Sequence, residues 1–178
     1  MGTLNLGSAN LSNSGSTLVS TSNLNLSGSW VDAPAGTILQ YQYQANKTQR
    51  TLTATGGSKA DIGWEPVVIT PRLSTSIIIV EWSSCIVSTT GAVDCYLTIY
   101  FDAGSGYAQV PGLDGNQGML RHRTDQYHGQ YCSFRYPHDH NTTNQISYKI
   151  YGASSSTNNF VANWDATFGM FSAMEIAT

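Results

Sequence analysis

The sequence predicts an all-β protein: an antiparallel β-sandwich of jelly-roll type over residues 36–178, preceded by an extended N-terminal arm over residues 1–35. Three observations carry this. From Thr37 onward apolar residues recur with period two, and helical periodicity barely appears. Charged residues make up only 11% of the chain, less than half the usual share, and Ser, Thr, Asn, Gly and Tyr fill the gap. That balance suits backbone ladders and hydroxyl contacts better than charge-laced helices. Many short apolar runs, separated by Gly, Ser and Asn clusters, give a sandwich its strands.

The elements follow in order. "TILQYQYQ" places Leu39, Tyr41 and Tyr43 on one face and Gln40, Gln42 and Gln44 on the other. "SIIIVEWSSCIVS" reads as a long, mostly buried strand. In "CYLTIYF", Cys95, Leu97, Ile99 and Phe101 point one way while Tyr96, Thr98 and Tyr100 point the other. The stretch from Asp102 to Asn144 is less regular and reads as long loops, which are usually functional or interfacial. "QISYKIYG" and "NNFVANWDA" look like a strand pair joined by the turn-forming "GASSSTNN". The end alternates Met170, Ser172, Met174 and Ile176 against Phe171, Ala173 and Glu175. An edge between arm and body falls near Trp30 to Gly36, where "WVDAPAG" brings the first charge and the first proline.

From Leu4 to Trp30 no side chain is charged, and Leu-Asn-Leu occurs at 4–6 and again at 24–26. This segment is too polar to cross a membrane and too sparse in apolar residues to build a core alone. Net charge is −3 with a pI near 5.7, so the basic footprint of a nucleic-acid binder is missing. The longest apolar run, Ile77 to Val80, is far short of the ~20 residues of a spanning helix. No basic and apolar leader of the secretory type is read at the N-terminus. Neither nucleic acid nor membrane insertion is expected.

Cys85, Cys95 and Cys132 are odd in number and lack C-x-x-C spacing, which indicates neither a disulfide framework nor a zinc ribbon. Cys85 and Cys95 flank "STTGAVD", which reads as a hairpin loop near Thr90 and sets the two thiols opposite each other, bridged or free. No G-x-S-x-G elbow, P-loop or H-E-x-x-H appears, and the carboxylates are scattered, with Asp102, Asp114 and Asp125 the first to inspect. No enzyme activity and no cofactor is expected. All four histidines lie in 122–140, and His138 and His140 fall on one face of an extended segment; copied around an axis they could ligate a metal, although loop histidines more often hydrogen-bond or pack. Arg121, Arg123 and Arg135 mix with Tyr127, Tyr131 and Tyr136 in the same stretch, and Tyr107 lies in another loop. Arg and Tyr are enriched at interface hot spots. These residues read either as inter-subunit packing or as contacts to an outside receptor or sugar. Trp30, Trp64, Trp82 and Trp164 read as core or interface packing.

"GTILQYQYQ" at 36–44, "ITP" at 69–71, the step from Ser74 to Val80, "YKIY" at 148–151 and "MEI" at 174–176 occur in that order across about 140 residues. The ordered set resembles a domain common in tailed-phage fibre and capsid-surface proteins. Ile77 stands where that family often has Lys, and the stretch 121–140 has no counterpart in it. The resemblance implies a homotrimer of jelly-roll knobs projecting from a virion, held there by the N-terminal segment. Leu4, Leu6, Leu11, Leu24, Leu26 and Trp30 would then be the docking residues, their strands pairing with other chains; the bland alternative is a tail or leader. The implied partners are other virion proteins, the major capsid protein first and a tail protein second, with a host-surface glycan as a further one. The expectation is a non-enzymatic capsid decoration protein or short head fibre, because a tail fibre needs a long shaft. A receptor-binding tail tip and a free lectin-like module are the alternatives.

Overall fold

The structure, a computed structural model, describes residues 4–6, 9–11, 33–53, 58–89, 91–111, 119–155, 159–164 and 167–178. Leu24, Leu26, Trp30 and Asp114 lie outside them. The chain divides into two units, Met1–Asp32 and Ala33–Thr178. Within the first, β1 (Leu4–Leu6) and β2 (Ala9–Leu11) pair antiparallel, with Leu4 opposite Leu11.

The second unit is a two-sheet sandwich in which all named strands pair antiparallel. One sheet sets β3 (Ile38–Asn46), β14 (Gly169–Ile176), β7 (Ile77–Ser88) and β11 (Gln130–Asp139) side by side. Beyond the end of β14, β13 (Phe160–Ala162) and β4 (Arg50–Leu52) extend it along β7. The other sheet runs β6 (Val67–Ile69), β12 (Ile146–Ser154), β8 (Val93–Asp102), β10 (Leu120–Thr124). Two short strands complete it: β5 (Ala60–Asp61) on β12 and β9 (Ala108–Gln109) on β8. The orders 3-14-7-11 and 6-12-8-10, with the chain crossing between sheets after β4, β6, β7, β10, β11 and β12, make this a double-sheet jelly roll.

The facing sides fill the core, as alternation requires of a sheet covered on one side. Ile78, Val80 and Trp82 of β7 and Phe171 and Ala173 of β14 are buried toward Leu97 and Ile99 of β8 and Ile146, Tyr148 and Ile150 of β12. Trp64 and Trp82 are core residues, as expected.

One polar side chain closes the end of this core. Glu175 is fully buried, yet its carboxylate accepts hydrogen bonds from Gln40 Nε2 at 2.6 Å, from the Arg72 amide at 2.8 and 3.0 Å, from the Leu73 amide at 3.1 Å and from Ser76 Oγ at 2.6 Å. The family-like phrases at 36–44, 69–80 and 174–176 thus meet at a single carboxylate.

Four expectations need correction. Strands β7 and β8 do not form a hairpin: they lie in different sheets, so Cys85 and Cys95 do not face each other. All three thiols are buried and free, and burial pushes Cys95 well above the ordinary thiol range and Cys132 up to about 11. Likewise β12 and β13 are not a pair, since the chain between them changes sheet and Phe160, Val161 and Ala162 are all buried. The stretch 121–140 is mostly strand, β10 and β11 joined by a turn at 125–129. Finally, Leu39 is buried while Tyr41 and Tyr43 are exposed, because the register shifts opposite Glu175 and Ile176.

A candidate assembly face

The outer side of the β3–β14–β7–β11 sheet can be read row by row from its register. Residues directly opposite in an antiparallel ladder share a face. One row is Ala45, Met170, Ser83, Ser133; the next is Tyr43, Ser172, Glu81, Arg135; then Tyr41, Met174, Ile79, Pro137; and last Ile176, Ile77, Asp139. An uncovered face of an antiparallel sheet is ordinarily polar. Here its charges are Glu81, Arg135 and Asp139, and the first two form an ion pair across the ladder. Met174, Ile79, Ile176 and Ile77 lie contiguous beside Tyr41. Small side chains, Ser83 and Ser133, floor a concavity of about 490 Å³ walled by Met170, Arg135 and Glu81. Elsewhere on the same face Tyr41, Tyr43 and Tyr131 stand 46%, 61% and 63% exposed. The two β3 tyrosines stack with ring centres 6.0 Å apart, and the Tyr131 hydroxyl donates to the Phe168 carbonyl at 2.6 Å.

The expected contact residues separate by strand geometry. On β11, Tyr131 and Arg135 point outward to this face, whereas Tyr136 points inward, half-buried, its hydroxyl donating to the Pro111 carbonyl at 2.8 Å. Arg121 and Arg123 are exposed on β10 of the other sheet, where Arg121 pairs with Asp94 at 3.0 Å and lies over the Tyr96 ring. Tyr127 takes a left-handed turn conformation, φ 57°, and packs near Trp164. Tyr107 is not freely exposed as its loop setting suggests. It is half-buried, its hydroxyl 2.6 Å from Ser147 Oγ, with Lys149 over its ring. Near it Tyr100 and Tyr151 stack at 4.0 Å, and Lys149 pairs with Asp61 at 2.6 Å.

Both candidate metal-binding histidines already have partners inside the fold. His138 Nδ1 lies 2.7 Å from the Tyr148 hydroxyl. His140 accepts at Nδ1 from the Thr142 amide, which leaves Nε2 to donate to Ser76 Oγ at 3.2 Å. Among the described residues no group of three His, Cys, Asp or Glu side chains could hold a metal.

Burial holds the His138 imidazole down at about 4; the neighbouring His140 acts the same way and Asp139 opposes. Tyr148 and Tyr136 are the other titratable groups against it. The unfolded chain therefore binds this proton first as pH falls below about 6.5. Stability is at its full value above that point and declines toward about 4. Between pH 7 and 4.5 the wild type should lose about 2–3 kcal/mol through this residue. Urea unfolding at the two pH values, with His138→Gln as the reference lacking the imidazole, should show the smaller loss in the variant.

The fold defines a jelly-roll protein, and its outer sheet surface carries contiguous apolar rows. No family model matches the chain, and no curated protein matches it. Similar solved structures include the infectious bursal disease virus Gx strain, with a TM-score of 0.44 and 10% identity over 79% of this chain and 38% of that one. The VP2 subviral particle of infectious bursal disease virus gives 0.43 and 12% over 79% and 39%. A family 16 carbohydrate binding module gives 0.24 and 14% over 67% and 73%. The chain thus spans less than two fifths of the viral proteins it matches.

Proposed function

We propose that this chain is a non-enzymatic structural protein of a virus particle, a capsid decoration protein or short head fibre. In this reading residues 1–35 dock it onto a partner in the shell, the major capsid protein first, and residues 36–178 project as a homotrimeric knob. The observation that carries the proposal is the outer face of the β3–β14–β7–β11 sheet. Its apolar rows and single central ion pair fit a surface covered in an assembly, since exposed contiguous apolar patches mark interaction sites. The ordered likeness to phage surface proteins supplies the kind of assembly. A tail tip recognising a host-surface glycan is the second reading, favoured by the Tyr100, Tyr107 and Tyr151 cluster beside Lys149 on the other sheet.

Native mass spectrometry and particle co-purification, each with and without residues 1–30, test the proposal. Full-length protein is expected to be oligomeric and to travel with particles. The truncated form is expected to keep its mass ratio and lose the particles. A monomer in both forms overturns the assembly reading, and co-purification that ignores the truncation overturns the docking role.

A further inference from the structure

The two edges of the β3–β14–β7–β11 sheet are built differently. Strand β11 carries Arg135, Pro137 and Asp139, devices that keep an edge from pairing with another chain. Strand β3 carries none: it holds no charge and no proline over its nine residues. Among the described residues β3 pairs with β14 alone, and Tyr41 to Ala45 are all exposed. An open edge of this kind presents a row of backbone donors and acceptors ready for a further strand.

Its sequence says which strand. Gln40-Tyr41-Gln42-Tyr43-Gln44 reads the same in both directions about Gln42. Two copies of β3 placed antiparallel about a two-fold axis at Gln42 would set Tyr41 of each opposite Tyr43 of the other. Tyrosine would then meet tyrosine and glutamine would meet glutamine, with no like charges opposed. Aromatic cross-strand pairs stabilise an antiparallel ladder, and a two-fold interface must be self-complementary in this way. The outward tyrosines of both copies would also continue the apolar rows of the assembly face across the junction.

We infer that β3 is a homotypic docking edge, joining two copies of this chain into one continuous sheet through antiparallel β3–β3 pairing centred on Gln42. This contact is separate from any threefold contact within a knob, and the two together would link trimers in pairs.

Native mass spectrometry of the full chain tests it with two double variants, Tyr41→Lys/Tyr43→Lys and Tyr41→Glu/Tyr43→Glu. The substituted side chains are exposed, so circular dichroism should be unchanged. The wild type is expected to contain an even number of copies. The lysine variant should fall to half that mass, with self-association weakened about 100-fold or more. Mixing the lysine and glutamate variants should restore the original mass, because each lysine then faces a glutamate. A wild-type dimer supports the edge and overturns the threefold reading; a hexamer supports both. A wild-type trimer overturns the edge and leaves the threefold reading standing. A mass unmoved by the lysine pair, or a mixture that stays at half mass, also overturns the edge.

Discussion

Replacing Glu175 by alanine should cost the sandwich about 3–5 kcal/mol at neutral pH, read as the shift in urea unfolding free energy. The reason is the number of donors stranded. Gln40 Nε2, the Arg72 and Leu73 amides and Ser76 Oγ all point at this carboxylate; removing it leaves the two amides to find water at a buried site, while Gln40 Nε2 keeps the Thr70 carbonyl and Ser76 Oγ the Leu73 carbonyl. Burial by itself pushes the carboxyl toward protonation, but the hydrogen bonds from Ser76, Gln40, Arg72 and Leu73 outweigh it and hold the group below the usual glutamate range. A depressed native value means that the stabilisation is present above the unfolded value of about 4.3 and fades as pH falls through the native one. The gap between wild type and Glu175→Ala should therefore narrow in acid. Glu175→Gln should fall between the two, because its amide nitrogen brings a donor where an acceptor is needed. A neutral Glu175→Ala variant would mean that the donors re-pair at no cost.

Trp82→Ala should be comparably damaging, also about 3–5 kcal/mol. This side chain is 1% exposed in the strand at the middle of its sheet, flanked across the ladder by Phe134 and Phe171. Its ring lies 5.3 Å from that of Phe134 and 5.7 Å from that of Trp64. Alanine would open a cavity that three aromatic neighbours, two of them fixed on the ladder, could close only in part. Trp82→Phe should cost far less, under about 1.5 kcal/mol, because its Nε1 has no hydrogen-bond partner to lose among the described residues. Equal losses in both variants would show that the site does not discriminate by volume, against the packing described. Denaturant midpoints with near-ultraviolet dichroism would measure both.

The strands that were readable from sequence are those whose two sides meet different surroundings. In 95–101 the buried Cys95, Leu97 and Ile99 alternate with Tyr96 and Tyr100, and in 170–176 the buried Phe171 and Ala173 alternate with methionines. Period two is visible wherever one face packs and the other does not. It was lost in β10 and β11, where "RHRT" and "SFRYPHD" mix Arg121, Arg123, Arg135 and Asp139 with an outward proline and place His122 and His138, rather than aliphatic residues, inward. Local sequence also could not distinguish a hairpin from a corner between sheets at 88–93, since both need only a short Gly-containing loop. The same ambiguity misplaced β12 and β13. Most residues of the assembly face were visible individually, with Met170, Met174 and Ile176 already assigned to one side. That they adjoin Tyr41, Ile79 and Ile77 is a property of strand order, which no single strand encodes.

Strand order also bears on synthesis. Strand β14 is the last of the sandwich to leave the ribosome, yet it lies between β3 and β7 and brings Glu175 to residues made about a hundred positions earlier. Until Gly169 to Ile176 emerge, β3 has no neighbour in its sheet among the described residues, and the Arg72 and Leu73 amides lack the carboxylate that accepts from them. The jelly roll therefore cannot close progressively from its N-terminal side as translation proceeds. A chain broken off before β14 would expose β3 and one side of β7 together, marking it for aggregation or degradation. Placing the latest strand of the sandwich inside the sheet makes translation through Ile176 a condition for a closed β3–β14–β7 surface.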